Sequence, residues 1–192
     1  MNAYYPEGML SAITDCKKSI TPAVLAEAQA RQTVMEATVT MCDAAHNLIV
    51  NLGCITGIIP REEGAIGISD GSTRDIALIS RVGKPVCFVV TGFKNGADGK
   101  LTALLSRKKA QEQCRQYIMS SCRTGDIIDA RVTHLESFGA FCDIGCGNIA
   151  LLPIDAISVS RISHPRDRFS AGEAIRAVIK SIDPDGRITL SH

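Results

Sequence analysis

Hydrophobic and polar positions divide the first half of the chain into one helix and several strands. Residues 21–31 begin with Thr21 and Pro22, an N-cap followed by proline at the first helical position, and continue in strong helix formers. From Thr33 the period changes to two, which indicates a half-buried strand. Further strands are predicted at residues 48–52, 57–59, 85–91 and 101–105. Short strands separated by Gly and Asn turns are typical of a small barrel.

The same rhythm of strands returns after a helical interval. Residues 107–121 place Ala110, Cys114 and Ile118 on one apolar stripe, which predicts a linker helix. Strands are then predicted at residues 125–134, 138–144, 149–152, 174–182 and 187–190.

An internal repeat relates the two strand-rich halves. Three landmarks occur in the same order in each: GIIP (57–60) with ALLP (150–153), VGKPV (82–86) with SAGEAI (170–175), and GKLT (99–102) with GRIT (186–189). Three matches in one order indicate two copies of one fold and not one continuous sheet.

The predicted fold class is therefore mainly β, with two tandem five-stranded barrels, a short N-terminal helix and a linker helix. The predicted domains are an N-terminal arm with its helix (1–31), a first barrel (32–106), the linker helix (107–121) and a second barrel (122–192).

Composition and charge narrow the function. Lys and Arg number 21 against 20 Asp and Glu, so no global positive field draws the chain to duplex phosphates, and a nucleic-acid surface must be local. The first residues lack the pattern of a signal peptide, and no apolar run is long enough to span a membrane. We expect a cytoplasmic protein without membrane contact.

Candidate chemistry is sparse. The eight cysteines form no CxxC pair, and Cys142 and Cys146 lack further ligands at zinc spacing, so we expect reduced thiols, no metal and no cofactor. The four histidines are scattered and no nucleophile, HExxH or phosphate-loop motif occurs. We therefore do not expect the protein to be an enzyme.

The second copy carries a specific resemblance. Residues 125–133 (GDIIDARVT), 137–145 (SFGAFCDIG), 171–175 (AGEAI) and 185–191 (DGRITLS) resemble the S1 RNA-binding domain family, and the tandem arrangement is similar to part of a bacterial ribosomal protein S1. The resemblance implies OB-fold barrels and single-stranded RNA as the partner, with mRNA the expected form. It departs from the family at Pro153, where a histidine is frequent, which removes one side-chain contact.

Two phenylalanines are the central candidates for RNA binding. Phe138 and Phe141 are three residues apart, and a bulge at Gly139 is expected to turn both rings to one side as a stacking platform. The alternative is that one or both rings belong to the core.

Charged candidates surround this pair. The resemblance assigns Asp183 and Arg187 of the last hairpin to the RNA surface, with a turn-stabilising Asp and a solvated Arg as the alternative. Further cations crowd the loop after the third strand and either follow the phosphate backbone or form a solvated surface: Arg161, His164, Arg166 and Arg168.

The first copy lacks the aromatic pair, since His46 and Ile49 occupy the matching positions. We expect the first copy to act as a docking module or as a spacer, with the small ribosomal subunit as the candidate partner. Its segment 64–81 is either an interaction loop or an ordinary solvated loop. The alternatives for the whole chain are a protein-docking module and an accessory RNA-binding region of a larger enzyme.

Overall fold

The computed structural model describes residues 4–10, 20–53, 55–95 and 100–192. These residues fall into two compact units, Gly8–Gln113 and Met1–Glu7 with Cys114–His192. Cys16, Cys54 and the predicted turn residues Gly96, Asp98 and Gly99 lie outside the described residues.

The first unit contains a closed five-stranded barrel. Its elements are α1 (Pro22–Arg31), β1 (Met35–Cys42), β2 (Leu48–Asn51), β3 (Thr56–Ile59), α2 (Ile76–Ile79), β4 (Pro85–Asn95) and β5 (Leu101–Ser106). The strands close in the order β1-β2-β3-β5-β4, with β3 and β5 parallel and the other neighbours antiparallel. The predicted N-cap of α1 is confirmed, because the Thr21 hydroxyl accepts from the Val24 N–H at 3.3 Å.

The second unit repeats this topology. Its elements are the helix α3 (Arg107–Ser121), which begins in the first unit, and β6 (Ile127–Glu136), β7 (Gly139–Asp143), β8 (Ile149–Pro153), β9 (Ala174–Ile182) and β10 (Ile188–Ser191). The strand order β6-β7-β8-β10-β9, again with one parallel pair, is that of the first barrel. The predicted fold class of two OB-type barrels is confirmed.

Segment 64–81 of the first unit is folded and is not an ordinary solvated loop. It contains α2, and its residues Ala65, Ile68 and Leu78 are buried in the core of the first barrel. The sequence pattern did not indicate this contribution to the core. The apolar residues are interrupted by Gly and Ser, and a helix of four residues is too short to show a period.

The N-terminal arm packs on the second barrel, a contact that the sequence did not predict. The buried Asp143 accepts from the Glu7 N–H at 2.7 Å, and the Tyr5 carbonyl accepts from the Cys146 N–H at 2.9 Å. The rings of Tyr4 and Tyr117 lie 5.5 Å apart. The arm is thus part of the second unit although more than a hundred residues separate it from its partners.

Candidate nucleic-acid interface

One outward face of the second barrel crosses four strands. His134 of β6 pairs with Phe141 of β7, Phe141 with Leu151 of β8, and Leu151 with Thr189 of β10. Directly paired residues in neighbouring strands point to the same side of a sheet. The residues that alternate with them point inward and are buried: Ala140, Cys142, Ala150, Leu152, Ile188 and Leu190. We call the row of His134, Phe141, Leu151 and Thr189, together with Phe138, the aromatic face.

The structure brings the two predicted phenylalanines together. Phe138 is 55% exposed and Phe141 is half-buried, with ring centroids 6.0 Å apart and planes nearly perpendicular. An edge-to-face pair fixes the orientation of both rings and leaves aromatic surface exposed to solvent. The alternative that Phe138 belongs to the core is wrong.

The expected bulge at Gly139 is wrong, although both rings lie on one side. Phe138 lies in the turn before β7, and Gly139 pairs regularly with Glu136 and Pro153. The register shift lies instead in β6, between Val132 and His134. Gly139 has a different role, because a Cβ there would lie 2.6 Å from the Leu152 carbonyl oxygen. Glycine therefore permits close contact of β7 with β8.

His134 joins the aromatic face, and sequence reasoning missed it. Its ring lies 6.4 Å from that of Phe141 at an interplanar angle of 27°, and its Nε2 is 2.6 Å from Glu136 Oε1. The side chain is 65% exposed. Counting back from a two-residue turn at residues 137–138 pairs position 134 with 141. The strand predicted from the sequence included Phe138, so this turn was not located.

Asp183 and Arg187 lie at the turn between β9 and β10. The Asp183 carboxylate accepts from the Arg187 N–H at 2.7 Å. Asp183 therefore stabilises the turn, which was the alternative to a role in RNA binding. Arg187 is exposed and lies two residues before Thr189 of the aromatic face.

The basic loop is ordered by its own acidic residue. Asp167 accepts from the N–H of His164 and from the hydroxyl and N–H of Ser163, which lowers the pKa of this carboxyl group. The His164 ring accepts from the Arg166 N–H at 3.0 Å and so caps a short 3₁₀ turn. The two predicted RNA-binding residues of this turn therefore differ in availability. The His164 Nδ1 is engaged in the cap, whereas the Arg166 side chain is exposed to solvent.

A cavity links this loop to the aromatic face. It has a volume of about 350 Å³ and is lined by His134, Leu135, Arg166, Phe169, Ser170 and Ala171. His134 borders both the cavity and Phe141, so the surface continues from the rings to the Arg166 side chain. Arg161 and Arg168 are exposed in the same loop and do not line this cavity.

The corresponding face of the first barrel is aliphatic. Met41, Ile49 and Ile58 form the matching row, and His46 lies in the turn where the second barrel has Phe138. His46 has a positive φ of 62°, and its Nδ1 lies 3.5 Å from the Asp75 carboxylate. Arg61 also binds Asp75, which lowers the pKa of that carboxyl group.

The thiol beneath the aromatic face is expected to be chemically inert. Burial raises the pKa of Cys142 to about 12, with the Asp143 carboxylate as a smaller cause. A raised pKa lowers the thiolate fraction at pH 8 to about one in ten thousand, and only the thiolate is alkylated. We expect iodoacetamide to label the half-buried Cys122 well before Cys142 in the native protein, measured by peptide mass spectrometry. Equal labelling rates at the two sites would contradict this burial.

Two further features are lacking in the part of the chain that the structure describes. Among residues 4–10, 20–53, 55–95 and 100–192, no three metal-ligating side chains lie close enough together to hold an ion. The described helices are also too short or too polar to cross a bilayer.

A closed OB-type barrel with exposed aromatic and basic side chains is typical of small domains that bind oligonucleotides. Residues 121–192 match the family model of the S1 RNA binding domain. The second barrel therefore belongs to the S1 RNA-binding domain family, and the resemblance stated from its motifs is confirmed.

Curated relatives match part of the chain. The chain is 37% identical over 93 residues to small ribosomal subunit protein bS1 of Staphylococcus epidermidis. The aligned segment covers 46% of this chain and 24% of that protein. The chain is 39% identical over 98 residues to the bS1 protein of Synechococcus elongatus, with 50% and 31% covered. A polyribonucleotide nucleotidyltransferase of Sulfurihydrogenibium is 30% identical over 90 residues, with 47% and 13% covered. The chain thus matches less than a third of the length of each of these relatives.

Proposed function

We propose that this chain is a cytoplasmic RNA-binding protein of the bacterial translation machinery, and that it holds single-stranded RNA on the aromatic face of its second barrel. The observation that carries the proposal is the grouping of Phe138, Phe141 and His134 on one solvent-facing surface of an S1 domain. The similarity to two bS1 proteins supports translation as the setting.

The arrangement supports binding without strong sequence preference. Every base has a face that stacks on an aromatic ring, and each stacked base contributes roughly 1–3 kcal/mol. Arg166 at one border of the face and Arg187 near the other supply positive charge for the phosphate backbone. Because these contacts address rings and phosphates, mRNA of varied sequence is a suitable ligand.

The first barrel is assigned a different role. Its aliphatic row of Met41, Ile49 and Ile58 offers no aromatic ring for a base. Met41 is 53% exposed, and Ile76 of α2 is 65% exposed. Exposed apolar side chains suit contact with protein, so this barrel is proposed to engage the small ribosomal subunit.

A titration of labelled single-stranded RNA tests the proposed function. Fluorescence anisotropy is measured with the label on the RNA, since the chain contains no Trp. Binding that weakens on raising the salt concentration is expected, because phosphate contacts release counterions. No binding even at low salt would overturn the proposal and favour a protein-docking module.

The basic loop is expected to contribute to this salt dependence. The double variant Arg166→Gln/Arg168→Gln should lower the slope of log K against log salt by about 0.7 for each lost phosphate contact. Both side chains are exposed, so the fold should be retained. Arg176→Gln, at an exposed position of β9, is the matched control. A slope unchanged in the double variant would identify the loop as a solvated surface.

A second candidate role is supported by one relative. The similarity to a polyribonucleotide nucleotidyltransferase is compatible with this chain being the accessory RNA-binding region of a larger enzyme. Binding assays do not separate the two roles, but co-sedimentation of the chain with small ribosomal subunits does. Co-sedimentation that survives Phe141→Ala is expected for the translation role, because the first barrel then makes the contact.

A further inference from the structure

A second recess of the second unit lies beside the aromatic face. This cleft has a volume of about 360 Å³ and lies between the second half of α3 and the β9–β10 turn. Its walls include Arg115 and Arg187, and its apolar lining includes Met119 and Ile149. None of the RNA-contacting roles described above uses Arg115, Met119 or Ile149.

Arg115 is held in place over the turn. Its guanidinium donates to the Asp185 carbonyl oxygen at 2.7 Å. Gly186 has a positive φ of 76°, and its position lies directly against this guanidinium, since a Cβ there would be 2.9 Å from the same nitrogen. A guanidinium has five N–H donors, so several remain for a ligand after one is used by Asp185. Arg115 is therefore an ordered cation at the rim of the cleft.

The cleft continues the aromatic face along β8 and β10. Ile149 lies two residues before Leu151 on the same side of β8, and Arg187 lies two residues before Thr189 of β10. Because β8 and β10 run parallel, both steps lead in the same direction. Ile149 is 51% exposed and Met119 is 40% exposed, so apolar surface is available at the end of the row.

We propose that this cleft holds one further nucleotide of the RNA bound on the aromatic face, with its phosphate between Arg115 and Arg187. Met119 and Ile149 contact the base or ribose of that nucleotide. The inference rests on the proposed function and extends it to a surface supplied by α3. The lining includes two arginines and one acidic residue, Asp185, which gives the cleft a positive excess. A cleft of this size suits a small group, whereas a protein partner needs about 800 Å² of contact surface.

Single substitutions in the full chain test the cleft. Anisotropy titrations use oligouridylates of about 4 to about 16 nucleotides, the range of site sizes on OB folds. Arg115→Gln is expected to weaken binding of the longer oligonucleotides about fivefold at 0.1 M salt and to lower the salt slope by about 0.7. Binding of the shortest oligonucleotides should be unchanged, because they occupy the aromatic face alone. Arg176→Gln is the control for a lost surface charge.

Substitutions of opposite charge at one exposed helix position separate an effect on RNA binding from an effect on folding. Met119→Lys should strengthen binding of the longer oligonucleotides and Met119→Glu should weaken it, each by a fewfold, while neither changes the melting temperature appreciably. If Phe141→Ala weakens binding but Arg115→Gln and both Met119 variants match the wild type, the cleft is not an RNA site and the aromatic face stands. If the wild-type chain binds none of the oligonucleotides, the proposed function fails, and the cleft assignment fails with it.

Discussion

Replacing Phe141 with alanine is expected to weaken binding of single-stranded RNA by about 1–3 kcal/mol, which corresponds to a roughly 5- to 150-fold rise in Kd. The ring is central to the aromatic face, since it lies beside both Phe138 and His134. Phe138→Ala should have an effect of the same order, because its ring is more than half exposed and available to a base. Anisotropy titration at constant salt measures both changes.

Matched substitutions separate stacking from general effects on the fold. Phe141→Leu keeps an apolar side chain against Leu151 but removes the stacking surface, so it should lose RNA affinity with little change in stability. His46→Ala and Ile49→Ala, at the corresponding positions of the first barrel, should leave RNA affinity almost unchanged. Wild-type affinity in both phenylalanine variants would end the stacking assignment, and a large loss in the first-barrel variants would overturn the division of roles.

The second large effect is expected for stability, on replacing Asp143 with alanine. This carboxylate is 3% exposed and accepts from the N–H groups of Glu7, Gly145 and Gly147 at 2.7, 2.8 and 3.0 Å. The bonds from Glu7 and Gly145 are buried, and each buried donor left without an acceptor costs about 1–3 kcal/mol. Asp143→Ala should therefore lower the free energy of unfolding by at least about 2 kcal/mol. Urea denaturation followed by circular dichroism measures the loss.

Two variants define the origin of that loss. Asp143→Asn retains one acceptor oxygen and should fall between the wild type and Asp143→Ala. Asp155→Ala removes an exposed carboxylate of the same barrel and should change stability by no more than about 0.5 kcal/mol. A loss under about 1 kcal/mol in Asp143→Ala would show that the arm and the β7–β8 loop are held by other contacts.

The positions of most strands were predictable because strand signals are local. An alternation of period two and turn residues at fixed offsets need only a few neighbouring residues to be recognised. The helix α3 coincides with its predicted range of 107–121, and β9 with its predicted range of 174–182. The predicted range of β7, 138–144, was one residue too long at each end. Phe138 belongs to the preceding turn, although an aromatic residue there resembles the start of a strand.

The candidate site was predictable in part. The aromatic types and their spacing indicated Phe138 and Phe141 correctly as neighbours, but the reason offered, a bulge at Gly139, was wrong. The actual bulge lies in β6, where no glycine marks it. The bulge lies beyond His134 as counted from the turn, so the two-residue turn at 137–138 sets the register that places His134 beside Phe141. A side chain selected by register carries no signal of its own in the sequence.

The sequence by itself determined that this chain forms two barrels of one topology, because repeats, periodicity and turn chemistry can be recognised without knowing how the elements pack. Its motifs also carried the resemblance of the second barrel to the S1 family. Only the tertiary structure decided which side chains share a surface. The contact between Glu7 and Asp143 spans 136 residues, and the cleft at Arg115 combines a helix with a turn 70 residues away. Such contacts depend on how whole elements pack, which no local pattern of residues specifies.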